Sequence, residues 1–470
     1  MALPPLNAPL RWKDSSPSVV ALLDDFQANI LKGHGRDHTM NLFLAFDPAK
    51  KAQIRAAIHQ LSGQITSAHQ QLVAAEAFGR GSRDGGMVRC FLLSFAGYQA
   101  LGVAAKAPAG AANSAFRQGM KARAAVLNDL PSATWDATFQ GTIHALLILA
   151  DDDTDRLQKE RDSIIDSLEA VGVTVLGVEE GNQQHNARGN GVEHFGYVDG
   201  RSQPLLLAED VDKEALQSGV SMWDPAFPLT QALVTTGTGA NKVAVGSFLV
   251  FRKLEQNVEG FKEAEDALAE KLKLVGEASE LAGAMIVGRF EDGTPVVLRN
   301  HDGSGGPVPN NFNYDDDPKG VKCPFAGHIR KTNPRGTGGF ETLTVERSHI
   351  MPRRGITYGQ RAPDLHDRPT AGVGLLFMAY QSSLENQFEF TQQNWVNDNN
   401  FPKVPAGSTQ AGIDPIIGQQ KADLAANTQK CPMAWGDPAS AFKSADFAGF
   451  VTMKGGEYFF APVLSTLRAI

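Results

Sequence analysis

The segment KCPFAGHIRKTNPR, residues 322–335, holds one imidazole, His328, among four cations, Lys322, Arg330, Lys331 and Arg335. Residues 321–361 carry eight Lys or Arg against two Glu, a local charge of +6 in a chain whose net charge is −8. Crowded like charges repel unless something negative sits among them. A neutral imidazole is a good ligand for iron, and the small residues of PFAG before His328 let something bulky come close. A haem needs an axial ligand for its iron and cations for its two carboxylates, and both features occur here within eight residues.

Two more constellations stand out. HFGYVDGRSQP (194–204) sets Asp199 in a glycine-flanked turn ahead of Arg201 and Pro204, and IMPRRGITYG (350–359) sets Arg353 and Arg354 before a glycine turn. Taken singly, the first reads as an Asp-Gly turn and the second as a solvated basic pair.

Other chemistries find no footing. HExxH, GxxxxGKS/T and calcium-loop patterns are absent, and GTGAN (237–241) lacks the Lys-Ser/Thr of a phosphate loop, so it reads as a turn. The triplets Asp151–Asp153 and Asp315–Asp317 lack alternating ligand spacing; they read as a helix N-terminus and a solvated loop. An excess of 52 Asp and Glu over 44 Lys and Arg argues against general nucleic-acid binding. Three scattered cysteines, Cys90, Cys323 and Cys431, make neither a disulfide framework nor a CxxC zinc site and fit a reducing compartment. The first residues show no basic leader before a long apolar run, and TIHALLILA is too short to span a bilayer, so a cytoplasmic protein without a membrane segment is expected.

The elements that must position these residues alternate between strand and helix periods. Strands are predicted at 38–47, 85–95, 142–150 and 173–180, with helices at 51–61, near Tyr98 and at 151–172. In the second half, a strand at 246–254 runs into a helix at 255–274, and a strand at 372–381 into a helix at 382–395. The strand–helix pairs at 142–172 and 246–274 look like one unit used twice, so the class is α+β or α/β, with two similar α+β halves favoured. The division is expected within 205–245, giving halves of 1–220 and 221–470, and 301–320 reads as a long functional or mobile loop.

Together the three constellations resemble the dye-decolorizing peroxidase family, in the family's order. Gly196 to Gly200 match its GxxDG motif, Gly327 through Arg335 its proximal histidine segment, and Arg353 to Gly359 its distal arginine and following turn. The likeness continues through ANILKGHGRDH (28–38), GSFLVFRKLEQNV (246–258), FMAYQSSLENQFEFTQQNW (377–395), GIDPIIGQ (412–419) and GGEYFFAP (455–462), nearly the whole chain. Gly327 and Thr357 replace a commoner Ala and Pro.

The resemblance implies an α+β fold of two ferredoxin-like halves with antiparallel sheets and peripheral helices. One haem b would lie in the C-terminal half, with His328 as iron ligand and Asp414 accepting its other N–H. Asp199 would be the distal acid–base group and Arg353 the fixed cation beside it. Arg330 and Arg335 are assigned to the haem propionates, and Leu375 and Phe377, two apart on a strand, to the distal wall. Trp395, Tyr380 and Tyr358 are candidate surface radical sites for donors too bulky to enter. The implied activity uses hydrogen peroxide to oxidise dyes, phenols and similar small donors in one-electron steps through an oxoferryl intermediate. The alternative is a non-catalytic haem protein for storage, sensing or iron release. The physiological reductant, Mn(II) use and an encapsulating shell are left open by these residues.

Overall fold

The computed structural model describes residues 3–470 other than 82–83, 109–113, 238–242, 304–305, 362–366, 406–409 and 420–427. Most of the glycine-rich GTGAN stretch lies outside the described residues.

Nine strands form the main sheet among the described residues: β1 (His38–Phe46), β2 (Val88–Leu93), β3 (Ala145–Asp151), β4 (Val173–Asn182), β5 (Val234–Thr236), β6 (Val243–Gln256), β7 (Ile356–Tyr358), β8 (Gly374–Gln381) and β9 (Val451–Pro462). Their order is β4-β1-β3-β2-β9-β6-β8-β7, with β5 added to β6. Every ladder is antiparallel, which excludes the α/β alternative. An array of four strands, β4-β1-β3-β2, and one of five, β9-β6-β8-β7 with β5, are thus joined where β9 meets β2, at the pair Phe460↔Leu93. Between the two arrays Phe43 of β1 packs edge-on to Phe251 of β6, ring centroids 4.9 Å apart, and tilts against Phe459 of β9 at 6.3 Å. Such ring pairs add about 1 kcal/mol each beyond the area they bury.

Helices cover the sheet through apolar stripes. Helix α1 (Lys51–Ser62) buries Ile54, Ile58 and Leu61, and α2 (Thr154–Glu169) buries Leu157, Ile164 and Leu168. Helix α3 (Val258–Leu272) starts at Asn257, whose side chain accepts from Gly260 N at 3.0 Å, and ends on Lys273 in the left-handed region.

The acidic triplets follow their sequence reading only in part: Asp315 and Asp316 are exposed as expected. Asp153 caps α2 by accepting from Arg156 N at 3.0 Å, but Asp151 ends β3, fully buried, and pairs with the Arg156 side chain. Asp317 is likewise buried rather than solvated, because three backbone N–H groups and an arginine converge on its carboxylate. The segment after β8 is helical as expected but wound wide, with π-type turns at Glu385–Glu389 and Thr391–Val396. Among the described residues no helix is long and apolar enough to cross a membrane.

Candidate active site

His328 opens the short helix α4 (His328–Thr332), with Gly327 as its N-cap. A Cβ on Gly327 would meet Pro324 O at 3.1 Å and both Cys323 Sγ and Met285 O at 3.3 Å, closer than packing normally allows, which accounts for glycine here. The imidazole Nδ1 lies 2.9 and 3.1 Å from the two oxygens of Asp414. Asp414 is fully buried and is held in turn by the N–H groups of Ile416 and Ile417, each 2.9 Å from Oδ1. Burial alone would raise the Asp414 pKa, yet the imidazole's charge and hydrogen bond, with the two N–H groups, lower it below the usual carboxylate value. For His328 burial lowers the pKa, but Asp414 more than offsets that and the net shift is upward. Nδ1 is therefore fixed as the donor, and Nε2 carries no protein hydrogen bond among the described residues.

Asp199 sits on a turn held by several bonds. Its N–H donates to Gly191 O at 3.1 Å, Val198 N donates to Glu291 O at 3.2 Å, and Gly196 and Gly200 take φ of 101° and 76°. The Glu193 carboxylate accepts from Phe195 N at 2.8 Å and Tyr197 N at 3.0 Å. Burial, only partly opposed by these bonds, pushes its pKa up to about 7.

Arg353 stands across from Asp199, Nη2 to Oδ1 at 4.0 Å, with about a third of its side chain exposed. Gln203 Oε1 accepts from its backbone N at 2.9 Å, and the strand bridge Arg353↔Ala379 ties it to β8. Directly opposed residues share a face of the sheet, so Leu375 and Phe377, four and two before Ala379 and both half-buried, lie on the Arg353 side. Arg353 and Asp199 are both close enough for their charges to act on His328. The neighbouring Arg354 is turned away, donating to the backbone oxygens of Asn29, Arg353 and Ile30.

The cations around His328 divide by partner. Arg330, expected beside Arg335 at an anion, instead pairs with Asp317 at 2.9 Å, with both side chains essentially buried. Its charge is already neutralised. Lys331 donates to three carbonyls, Asp398 O, Phe401 O and Gly412 O. Arg335 is buried too, but its acceptors are all neutral: Asn310 O, Phe312 O, Asn310 Oδ1 and Ser202 Oγ. Arg289, which the sequence reading passed over, joins it on Ser202 Oγ at 3.1 Å and otherwise donates to Gly293 O and Pro309 O. Burial lowers the pKa of Arg335 to about 9 and that of Arg289 to about 10. No carboxylate pairs with either among the described residues, so this corner of the site favours an incoming anion. Nothing local in the sequence marked Arg289, which lies far along the chain from the basic cluster; Ser202 was within the Asp199 motif.

The three candidate surface radical residues are not at the surface. Trp395, Tyr380 and Tyr358 are 1%, 0% and 7% exposed. Trp395 stacks on Phe401 at 5.2 Å, which stacks at 6.2 Å on the exposed Phe340.

The antiparallel α+β frame thus brings together an imidazole held by a buried carboxylate, a second carboxylate 4.0 Å from an arginine, and two buried arginines with neutral partners. Residues 25–182 match the family described as "DyP dimeric alpha+beta barrel domain". The chain is 47% identical to the multifunctional dye peroxidase DyP2 of Amycolatopsis sp., covering 99% of both proteins. It is 32% identical to the dye-decolorizing peroxidase AauDyP1 of Auricularia auricula-judae, over 94% of this chain and 86% of that one. The DyP2 structure superposes with a TM-score of 0.90 at 45% identity, over 99% of this chain and 100% of the other. The DyP-type peroxidase of Anabaena sp. gives 0.87 at 39%, over 98% and 96%. The chain belongs to the dye-decolorizing peroxidase family and is a dye-decolorizing peroxidase.

Peroxidases of this family are haem proteins, and the residues present fit that group. His328 offers a free Nε2 with its tautomer set from behind, and Arg335 with Arg289 offers buried positive charge without a counter-ion.

Proposed function

We propose that the chain binds one haem b and uses hydrogen peroxide to oxidise dyes, phenols and similar small donors one electron at a time. A related dye-decolorizing peroxidase is known as a complex with 2,6-dimethoxyphenol, 28% identical with a TM-score of 0.73, which supports phenols as donors. His328 Nε2 would hold the iron, and Arg335 with Arg289 would face the propionates. When bound, the haem supplies the metal at which the peroxide O–O bond breaks and the oxidising equivalents that result.

The chain's own residues manage protons and charge. Asp414 keeps the Nδ1 proton of His328 in place, so Nε2 stays a ligand. Asp199 takes the proton from the near oxygen of peroxide and returns it to the departing one. The Arg353 guanidinium offsets the negative charge that grows on the departing oxygen. Leu375 and Phe377 exclude water from the same side. Three buried, unpaired thiols suit a reducing, cytoplasmic setting, and a division near residue 220 suits the doubled array.

The observation that carries this reading is the His328–Asp414 pair with Asp199 and Arg353 near enough to act on it. The purified protein should show a Soret band that changes on adding peroxide. His328→Ala should lose that band or its iron coordination. Asp199→Ala should keep the band while peroxide turnover falls by about 10²–10⁴-fold. Unchanged turnover in Asp199→Ala would overturn the assignment.

A further inference from the structure

Six tyrosines occur in the chain, and two of them, Tyr197 and Tyr458, donate their phenolic O–H to a carboxylate among the described residues. Tyr458 lies on β9, fully buried, with its hydroxyl 2.9 Å from Glu389 Oε1. Glu389 is itself buried and held by Arg123, Nε to Oε1 at 2.9 Å and Nη2 to Oε2 at 2.6 Å, and the Arg123 side chain is 20% exposed. The phenol thus has a fixed proton acceptor, and that acceptor is tied to a cation at the surface.

Register places Tyr458 toward the active site. Tyr458 pairs with Val250, Val250 with Ala379, and Ala379 with Arg353, so all four lie on one face of the sheet. Three strand spacings, on the order of 14 Å of backbone, separate Tyr458 from Arg353. The bulge between Met453 and Gly455 sets this register, since a slip of one residue would turn Tyr458 to the opposite face. On the same side, rings step from Phe377 to Phe388 at 6.2 Å and from Phe388 to Tyr458 at 6.3 Å.

A tyrosine is hard to oxidise while it keeps its proton, and hard to deprotonate in a dry interior. Burial, and next the charge of Glu389, push the Tyr458 pKa well above the ordinary tyrosine value, so its proton does not leave unaided. A carboxylate already hydrogen-bonded to the phenol solves this by receiving the proton as the electron departs.

We propose that Tyr458 is a redox-active tyrosine of this enzyme: it gives one electron to the oxidising equivalents generated at the haem and its phenolic proton to Glu389. The resulting neutral radical is reduced by one electron from an outside phenol or dye, and the proton returns from Glu389 to the phenolic oxygen. Tyr458 and not Tyr197 is assigned because Tyr458 shares the Arg353 face and the ring steps from Phe377. The Tyr197 hydroxyl instead faces the Lys262, Glu265 and Glu291 cluster. The inference rests on the peroxidase reading given above.

The test is electron paramagnetic resonance on the haem-loaded enzyme frozen soon after mixing with peroxide. A tyrosyl signal should appear and should narrow when the protein is made with ring-deuterated tyrosine. It should be lost in Tyr458→Phe, fall several-fold in Glu389→Gln, and persist in Tyr197→Phe. The Soret band and thermal melt report whether each variant has folded and loaded, and Glu389→Gln keeps the shape of the side chain if Tyr458→Phe does not. A signal undiminished in Tyr458→Phe, or lost only in Tyr197→Phe, overturns the proposal. So does a peroxide-reactive enzyme with no tyrosyl signal. A protein whose Soret band does not respond to peroxide would instead refute the functional reading beneath it.

Discussion

Arg330 and Asp317 form an ion pair of 2.9 Å in which neither side chain keeps more than 1% exposure. The guanidinium also donates to Cys323 O and Asp317 O, and the Asp317 carboxylate gathers the N–H groups of Val321, Lys322 and Cys323. This pair folds the loop before His328 back on itself. Removing one partner leaves the other as an uncompensated buried charge, which costs about 3–5 kcal/mol. Arg330→Gln should therefore lower the stability of the haem-free protein by that order, measured by denaturant unfolding. A stability equal to wild type would show that the pair does not hold the loop.

Arg335 should respond in the opposite sense. Its guanidinium is buried without a carboxylate, and burial already lowers its pKa. Arg335→Gln removes a charge that the haem-free fold gains little from. Its main effect should be weaker haem retention, by tenfold or more for a lost charge-assisted contact of about 1.5–3 kcal/mol. Transfer of haem to an excess of a competing apoprotein measures this, and retention equal to wild type would remove Arg335 from the anion site.

Asp414 lends negative charge to the His328 imidazole, the iron ligand proposed above. Asp414→Asn should weaken that donation while leaving a hydrogen-bonding side chain in place, so the iron should become easier to reduce. A spectroelectrochemical titration should show a more positive midpoint potential, and a more negative or unchanged value contradicts the role.

Glu193 should make stability depend on pH. Its folded pKa of about 7 is raised from the ordinary glutamate value of about 4.5, with burial as the leading cause. The folded chain therefore binds this proton more tightly than the unfolded chain. The contribution is fully present below about 4.5 and is lost as pH rises through about 7, by on the order of 1–3 kcal/mol. Unfolding of Glu193→Gln should be flatter than wild type across that window, and parallel curves would show that Glu193 does not titrate there.

Much of this molecule was legible from local patterns. Period changes along the chain located the four strands of the first array and β6 and β8 of the second, because alternation and helical stripes report burial within a few residues, but they did not mark β5, β7 or β9. The Asp-Gly turn, the histidine segment and the arginine turn, met in order, pointed to one family and to His328, Asp199, Arg353 and Asp414. Local pattern did not tell Arg330 from Arg335, because both are cations in one short run.

Tertiary structure decided what depends on distant partners. One strand pairing, Phe460↔Leu93, links the two arrays into one sheet, and its residues are separated by most of the chain. Asp317 neutralises Arg330, whereas Arg289 comes from the segment after β6 and α3 to stand beside Arg335. Trp395, Tyr380 and Tyr358 are polar-edged aromatics that composition alone cannot place inside or out, and the fold buries all three. Residue types in motif order, through the family they resemble, indicated which chemistry to expect of this chain. Which charges stay uncompensated, and which phenol has an acceptor, followed only once distant segments met, because charge and burial act through space and not along the backbone.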